Sequence, residues 1–468
     1  MNSNVSEQKN PLGYEPITKL LLKFALPSVI SMLVNSIYNI VDQIFIGRGV
    51  GYLGNAATTV SFPIVTIVLA ISTLLGAGGS AFSAIKLGEK NEKEAEKTLG
   101  NIFSILIILG IIMAVLGLIY LEQILILFGA TENIMEYCKQ YASIILIGTP
   151  FSMLSVGLSN MSRTDGNPKL SMYSMIIGAA LNTILDPIYI FIFHWGVTGA
   201  AIATITSQAI SSVILIHYFV KKGNMRLKKE NIFNINPYIC SKVLALGVSS
   251  CITQIATTIL QITLNNSLVY YGNLSSVGGD VALSAMGIVL KVSMIIVSIC
   301  IGIGIGAQPI LGFNKGAKQY KRIKSTYIKA VTMATIAAFT GWAMCLFIPD
   351  IILSIFGNAD EVFTNFGIKC MQIFMSGVFC AGFQIVSKSY FQATGQPLKA
   401  SILSLLRQIL LLIPLIYVLP KYIGLDGILY AGPIADITAA LIVGIFIIFE
   451  MRKLSKIIKS EQENKIAA

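Results

Sequence analysis

AIKLGEKNEKEAEK (84–97) follows a glycine-rich apolar run, LLGAGGSA, and returns as PILGFNKGAKQYKR (309–322) behind a second such run, GIGIGAQP. The offset is about 225 residues, and other segments keep nearly the same register. FGATENI (128–134) matches FGNADEV (356–362), TDGNPKLS (164–171) matches ATGQPLKAS (393–401), and GVTGAAIATITSQA (196–209) matches GLDGILYAGPIADI (424–437). Each copy holds six apolar runs between these landmarks. A parallel duplication of this kind is an arrangement expected of a two-lobed transporter.

The apolar runs lie near 20–46, 56–80, 99–121, 136–160, 170–194 and 198–220, and then near 239–271, 281–311, 325–348, 362–391, 400–420 and 427–450. Each is long enough to cross a bilayer as a helix. The chain of 468 residues is 55% hydrophobic and 12% charged, about half the charge of an ordinary soluble domain. The fold class is therefore an all-α membrane protein, with twelve transmembrane helices in two pseudo-symmetric six-helix bundles. The expected divisions are an N-terminal segment 1–18, an N-lobe 19–220, a linker 221–238, a C-lobe 239–450 and a tail 451–468. Residues 1–18 are polar, and the apolar run behind them exceeds signal-peptide length, so it reads as the first span.

The net charge of +12 is unevenly placed. Nearly all Lys and Arg fall in the N-terminal segment, in 86–97, 163–169, 221–230, 315–324 and the Lys388–Lys399 stretch, and in the tail. The alternate loops carry Glu132, Glu136, Asp280, Asp350, Asp360 and Glu361. The positive-inside rule then puts both termini and the basic loops in the cytoplasm of a cell-membrane protein. It also accounts for the charge without nucleic acid. The seven cysteines form no C-x-x-C pair, and His194 and His217 stand apart, so there is no His/Cys metal motif.

Two acids interrupt the apolar runs of the first copy. Asp42 lies in VNSIYNIVDQIFIG (34–47) and Asp186 in LNTILDPIYIFIF (181–193). A carboxylate inside a membrane helix costs about 2.5–3.5 kcal/mol on insertion scales, and such residues mark ion pathways or structural pairs. By helical rise, about 1.5 Å per residue, Asp186 is roughly 13 Å from the outer end of span 5. Asn182 lies one turn deeper on the same face, and span 6 brings Thr204 to a similar depth. Asp42, Asn182, Asp186 and Thr204 together form a hard-oxygen set suited to a hard cation; the same carboxylates could carry protons. The alternative is structural bonding between spans. Pro27, Pro63, Pro150, Pro187, Pro309, Pro414 and Pro433 punctuate the spans, either as packing kinks or as points of bending during a conformational cycle; Pro27 and Pro187 stand out because they share helices with the two acids. In the second copy Lys291 and Asp436 lie at similar depth and are expected to pair, and Gln254, Gln261, Gln384 and Gln392 to add polar lining.

The motifs VDQIFIGR, LGEKN, TDGNPK, LNTILDPIYIF, GVTGAAIATITS and QATGQP resemble the multidrug and toxic compound extrusion (MATE) family over residues 15–450, nearest its DinF/MepA-like prokaryotic branch. The resemblance implies a V-shaped pair of bundles, acting as a monomer in the lipid bilayer. It implies export of cationic amphiphilic small molecules in exchange for H⁺ or Na⁺, with no cofactor. The family's N-lobe cation site, including a possible Na⁺, maps onto Asp42, Asn182, Asp186 and Thr204. Spans 7 and 10 lack the acids of NorM relatives, which speaks against a second cation site. Lys291 and Asp436 look like the basic and acidic residues that DinF-type members carry in spans 8 and 12. A lipid-linked precursor flippase of the same superfamily would carry more intramembrane cations. A membrane-embedded enzyme would need a metal motif, and the duplicated lobes suit alternating access better than a passive channel.

Overall fold

The computed structural model describes residues 11–50, 52–354 and 361–467. Residues 1–10 of the N-terminal segment, Asp360 and the last residue of the tail lie outside them. Among the described residues twelve helices are long and apolar enough to cross a membrane. In the first copy these are α1 (Ile17–Gly49), α2 (Ala57–Gly88), α3 (Glu92–Ile119), α4 (Glu132–Thr164), α5 (Pro168–Ile192) and α6 (Gly196–Lys221). The second copy supplies α7 (Pro237–Asn273), α8 (Val281–Gly316), α9 (Tyr320–Phe347), α10 (Glu361–Ala393), α11 (Pro397–Ile423) and α12 (Leu425–Glu463).

The repeat is visible in the backbone of the loops. Lys90 and Lys318 both take positive φ, at 60° and 57°, directly before α3 and α9. Gly166 and Gly395 do so before α5 and α11, and Gly196 and Gly424 at the starts of α6 and α12. Helix starts follow the local chemistry. Asn91 accepts the Glu94 N–H at 3.2 Å, and Asn167 and Asn236, just ahead of Pro168 and Pro237, accept the N–H groups of Leu170 and Tyr238. A side-chain oxygen at the cap satisfies one of the orphan donors, and proline at the first helical position needs no donor partner.

The lobes meet through α1 against α8 and α2 against α7. Apolar burial drives little association inside lipid, so helix contacts there depend on small residues that allow backbones to touch. A Cβ on Gly247 would strike the Leu74 carbonyl, and one on Gly78 the Val243 carbonyl; Gly88 and Gly316 are related in the same way to Phe313 and Ile85. Gly302 and Gly306 approach the backbone of Val29 and Ala25. Among the described residues, these glycine contacts between lobes all lie on the side of the basic loops.

The first helix of each copy is shared. Leu20, Leu21, Phe24 and Ala25 of α1 pack in a core with α8, α9, α10 and α12. Reciprocally, Ile239, Val243 and Leu246 of α7 pack in the core of α2, α3, α4 and α6. The far half of α1 returns to the N-lobe, where Ile46 packs with Tyr141, Ile190 and Val197. Pro27 is buried where α1 crosses between lobes.

The segment joining the lobes is an ordered strap on the N-lobe. The Asp165 carboxylate accepts the Tyr218 hydroxyl at 2.6 Å and the N–H groups of Asn224 and Met225 at 2.9 and 2.6 Å. Beyond it, Lys228 pairs with Glu96, and a short helix, Lys229–Phe233, lies against α3. Lys388, read from sequence both inside the tenth run (362–391) and at the start of a basic stretch, lies within α10, which continues to Ala393.

Candidate functional site: an oxygen cluster in the N-lobe

α5 is α-helical to Pro187 and then widens into a π-turn over Ile188–Ile192. Proline inside a helix removes a donor and crowds the preceding turn, and π-turns recur at functional positions. Asp186 stands at this break with no solvent exposure, and Asn182 is one turn below it with 2%. The Asn182 amide donates to Asp186 Oδ1 at 3.2 Å and to Thr204 Oγ1 of α6 at 3.4 Å. Asp42 of α1 has its carboxyl group within hydrogen-bonding reach of Asp186. All four residues singled out in the sequence thus meet, from three different helices.

Three buried oxygens there have no hydrogen-bond partner: Asp42 Oδ1, Asn182 Oδ1 and Asp186 Oδ2. A buried polar atom left unpaired is costly, so the cluster is incomplete as bare protein. A proton shared between carboxyl groups, or a hard monovalent cation taking carboxylate, amide and hydroxyl oxygens, would complete it. Among the described residues no group of three or more His, Cys, Asp or Glu side chains is suited to a metal ion, and the donor count here fits a weakly held monovalent ion better than a divalent one. Tyr141 of α4 lies within electrostatic range of both carboxyl groups and of Tyr38 of α1. Sequence reading missed both tyrosines, because a tyrosine in an apolar span carries no signal separating it from packing. Beyond the break, Phe45 of α1 meets Phe191 edge-on, and Tyr189 stacks on Phe193 and Trp195.

The C-lobe charges differ from expectation. Asp436, 3% exposed, pairs with Arg407 of α11 rather than with Lys291. Ser298, two turns along α8 on the face of Lys291, meets Ser36 of α1 at 2.9 Å, so that face looks toward the N-lobe and away from α12. Lys291 is exposed. Arg407 was overlooked as a lone cation within an apolar run; it lies in a second π-turn, Leu406–Leu412. Gln384 donates to the Asp436 carbonyl at 2.8 Å, and Gln392 joins Leu246, Ser250 and Gln308, so these two glutamines line the C-lobe interior as expected. Gln261 instead bonds Asn265 on its own helix.

Comparison with known proteins shows the family of the chain. The MatE family model matches residues 27–188 and 249–418, the two halves of the duplication. The multidrug export protein MepA of Staphylococcus haemolyticus (strain JCSC1435) is 28% identical over 447 residues, 93% of this chain and 94% of the relative. The solved structure of the MATE multidrug transporter DinF-BH is 32% identical with a TM-score of 0.86, covering 95% of this chain and 99% of that one. A MATE transporter solved with MaL6 superimposes with a TM-score of 0.89 at 21% identity, covering 95% and 99%. The chain is a multi-pass membrane transporter and not an enzyme, and it belongs to the MatE family.

Proposed function

We propose that the chain is a secondary active exporter of cationic amphiphilic compounds, driven by inward H⁺ or Na⁺ through alternating access. The observation that carries this reading is the Asp42–Asp186 cluster, with its three unpartnered buried oxygens. Multidrug export is the role named for the MepA relative. The residue roles follow from position. Asp42 and Asp186 take the ion or proton; Asn182 orients Asp186 and offers its amide oxygen; Thr204 adds a hydroxyl.

The swapped packing of α1 suggests how ion and drug communicate. Its first turns belong to the C-lobe core, while Asp42 belongs to the N-lobe. A change at Asp42 then bends α1 about Pro27, reshapes the N-lobe cavity and loosens the seal between lobes. With the basic loops in the cytoplasm, the glycine contacts close the cytoplasmic side, and this conformation faces outward. The protein works as a monomer in the cytoplasmic membrane, with both termini inside.

Dye efflux from inverted vesicles tests the proposal under separately imposed H⁺ and Na⁺ gradients. One gradient should drive transport, and Asp186→Asn should abolish it; transport indifferent to both would refute coupling. A cysteine at exposed Lys222 in a background without native cysteines should resist an impermeant thiol reagent in intact cells. Asn224 is unsuitable for this purpose, since its side chain bonds the Asp165 carbonyl at 2.7 Å.

A lipid-linked precursor flippase is the second reading. One observation favours it: the C-lobe holds Lys388 and Arg407 within its helices in addition to Lys291.

A further inference from the structure

We infer that a groove between α9 and α12, on the side of the basic loops, binds the phosphate headgroup of an anionic phospholipid whose chains lie along α9. The inference concerns the bilayer around the protein and stands whichever ion or compound is moved.

The groove has a volume of about 380 Å³ and is lined by Lys321, Lys324, Ser325, Ile328 and Lys329 of α9 and by Ile458 of α12. Three ammonium groups and a hydroxyl thus stand over two apolar side chains, and no acid lines the groove. Lys324 donates to Ser455 Oγ of α12 at 2.9 Å and Lys329 to Thr18 Oγ1 of α1 at 2.6 Å, both neutral partners. Lys321 is exposed, and among the described residues it has neither a hydrogen bond nor an ion pair. The acids Glu15, Glu450 and Glu463 are paired elsewhere, with Lys19, Lys399 and Lys459.

The repeat makes this excess of charge particular to the second copy. In the register set by Lys90 and Lys318, Glu92, Glu94 and Glu96 of α3 answer to Tyr320, Arg322 and Lys324 of α9. The acids of α3 hold cations: Glu94 pairs with Lys86, and Glu96 with Lys228. α9 has no acid in its first turn. Lysines there add to the positive end of the helix dipole and repel one another. The positive-inside rule asks only that such loops be basic; it does not gather three lysines around one groove with an apolar floor. An anion in the groove relieves the repulsion.

Position along the helices selects a lipid over a soluble anion. The lysines stand at the end of α9 where its apolar span begins. Ile328 and Phe339, about three turns apart on one face of α9, are both exposed and lead from the groove into the bilayer. On α12 a second open groove begins at Ser455 and sets Ile448 and Phe449 beside Arg452 and Lys456. Both helices are therefore cationic at the membrane surface and apolar below it. A phosphate carried on acyl chains matches both parts, and basic pockets between membrane helices suit such headgroups. A free phosphate would use the lysines and leave the apolar track bare.

The test uses purified full-length protein in detergent with equimolar phosphatidylglycerol and phosphatidylcholine of identical chains. Native mass spectrometry reads which lipid is retained. The parent should prefer phosphatidylglycerol. A basic residue near anionic lipid is worth about fivefold in affinity, so Lys321→Gln should lower the preference by about that factor. Lys321→Gln combined with Lys324→Gln and Lys329→Gln should lower it further. Ile458→Trp, which fills the groove and keeps every lysine, should lower it too. Removing the same charge from the basic loops of the first copy, by Lys93→Gln, Lys97→Gln and Lys221→Gln together, should leave it unchanged. A parent without preference overturns the site, as does an unchanged preference in Lys321→Gln, whose ammonium holds nothing in the fold. An equal loss in the first-copy variant would reduce the effect to surface charge and overturn the groove. Glycerol 3-phosphate that displaces phosphatidylglycerol at equal concentration overturns the lipid assignment in favour of a soluble phosphate. A dimer that forms in lipid-free parent and is lost in Ile458→Trp would give the groove to a second copy of the chain.

Discussion

In the N-lobe two carboxyl groups, Asp42 and Asp186, face each other, and among the described residues neither forms an ion pair; in the C-lobe Asp436 is matched by Arg407. The lobes share topology, loop conformations and helix breaks, so the contrast is one of chemistry. It is also one of position. In the register of the repeat, Asp436 answers to Gln208 and not to Thr204 or Asp186, and Arg407 answers to Gly178. The C-lobe pair is therefore no degenerate copy of the ion cluster. A pair that is neutral without a ligand can hold helices together through a whole transport cycle. A pair of acids needs a proton or cation to be stable in a dry site, and that need is what lets it sense one.

The sharpest break of this contrast is Asp186→Asn. It preserves shape and removes charge, and it should abolish gradient-driven efflux while leaving membrane levels near those of the parent. Efflux at parental rates would make both lobes structural and the comparison empty.

Next comes Arg407→Met, which leaves Asp436 buried without its partner. The expected loss is about 3–5 kcal/mol of stability, and adding Asp436→Leu should restore most of it, since apolar replacement of a whole buried pair is often tolerated. Thermal unfolding in detergent reads both variants. A single variant as stable as the parent would show that the pair does not brace the C-lobe.

Ion–drug linkage is the third test. In the parent, either Na⁺ or acid pH should weaken drug binding by about 5- to 150-fold, the range of an ordinary coupling energy. Asp42→Asn should remove the dependence and Asp436→Asn should retain it. The reverse pattern would move coupling to the C-lobe.

The smallest effect concerns Asp165, which clamps the strap outside the membrane spans. Burial pushes its carboxyl up to about 6, against the lowering effect of Tyr218, Met225 and Asn224. The folded protein therefore holds this proton more readily than the unfolded chain. The cost of burying the charge is absent below about pH 4, the ordinary carboxyl range, and grows as pH rises through 6. Asp165→Asn removes that cost, so its melting temperature relative to the parent should rise by a degree or two between pH 5 and 7. A difference flat in pH would mean that Asp165 is ionised throughout that range.

Span number, duplication, loop polarity and the residues of the N-lobe cluster were legible in the sequence. Each rests on a local or periodic property: apolar length, recurring glycine and proline turns, and acids that a membrane helix does not carry without cause. Distance along a helix is linear in residue number, so Asp42, Asn182, Asp186 and Thr204 could be assigned to the outer half of one lobe before their helices were assembled. Helix rotation and neighbour choice are not linear in sequence. For that reason Lys291 was matched with Asp436 by depth, whereas packing turns Lys291 toward α1 and gives Asp436 to Arg407. The approach of Tyr141 to the carboxyl groups and the exchange of α1 and α7 between cores likewise emerged only with the assembled helices. Sequence determined which groups fall within apolar spans and how far along them they stand; tertiary packing decided which of them touch, because contact depends on the azimuth of each helix against its neighbours.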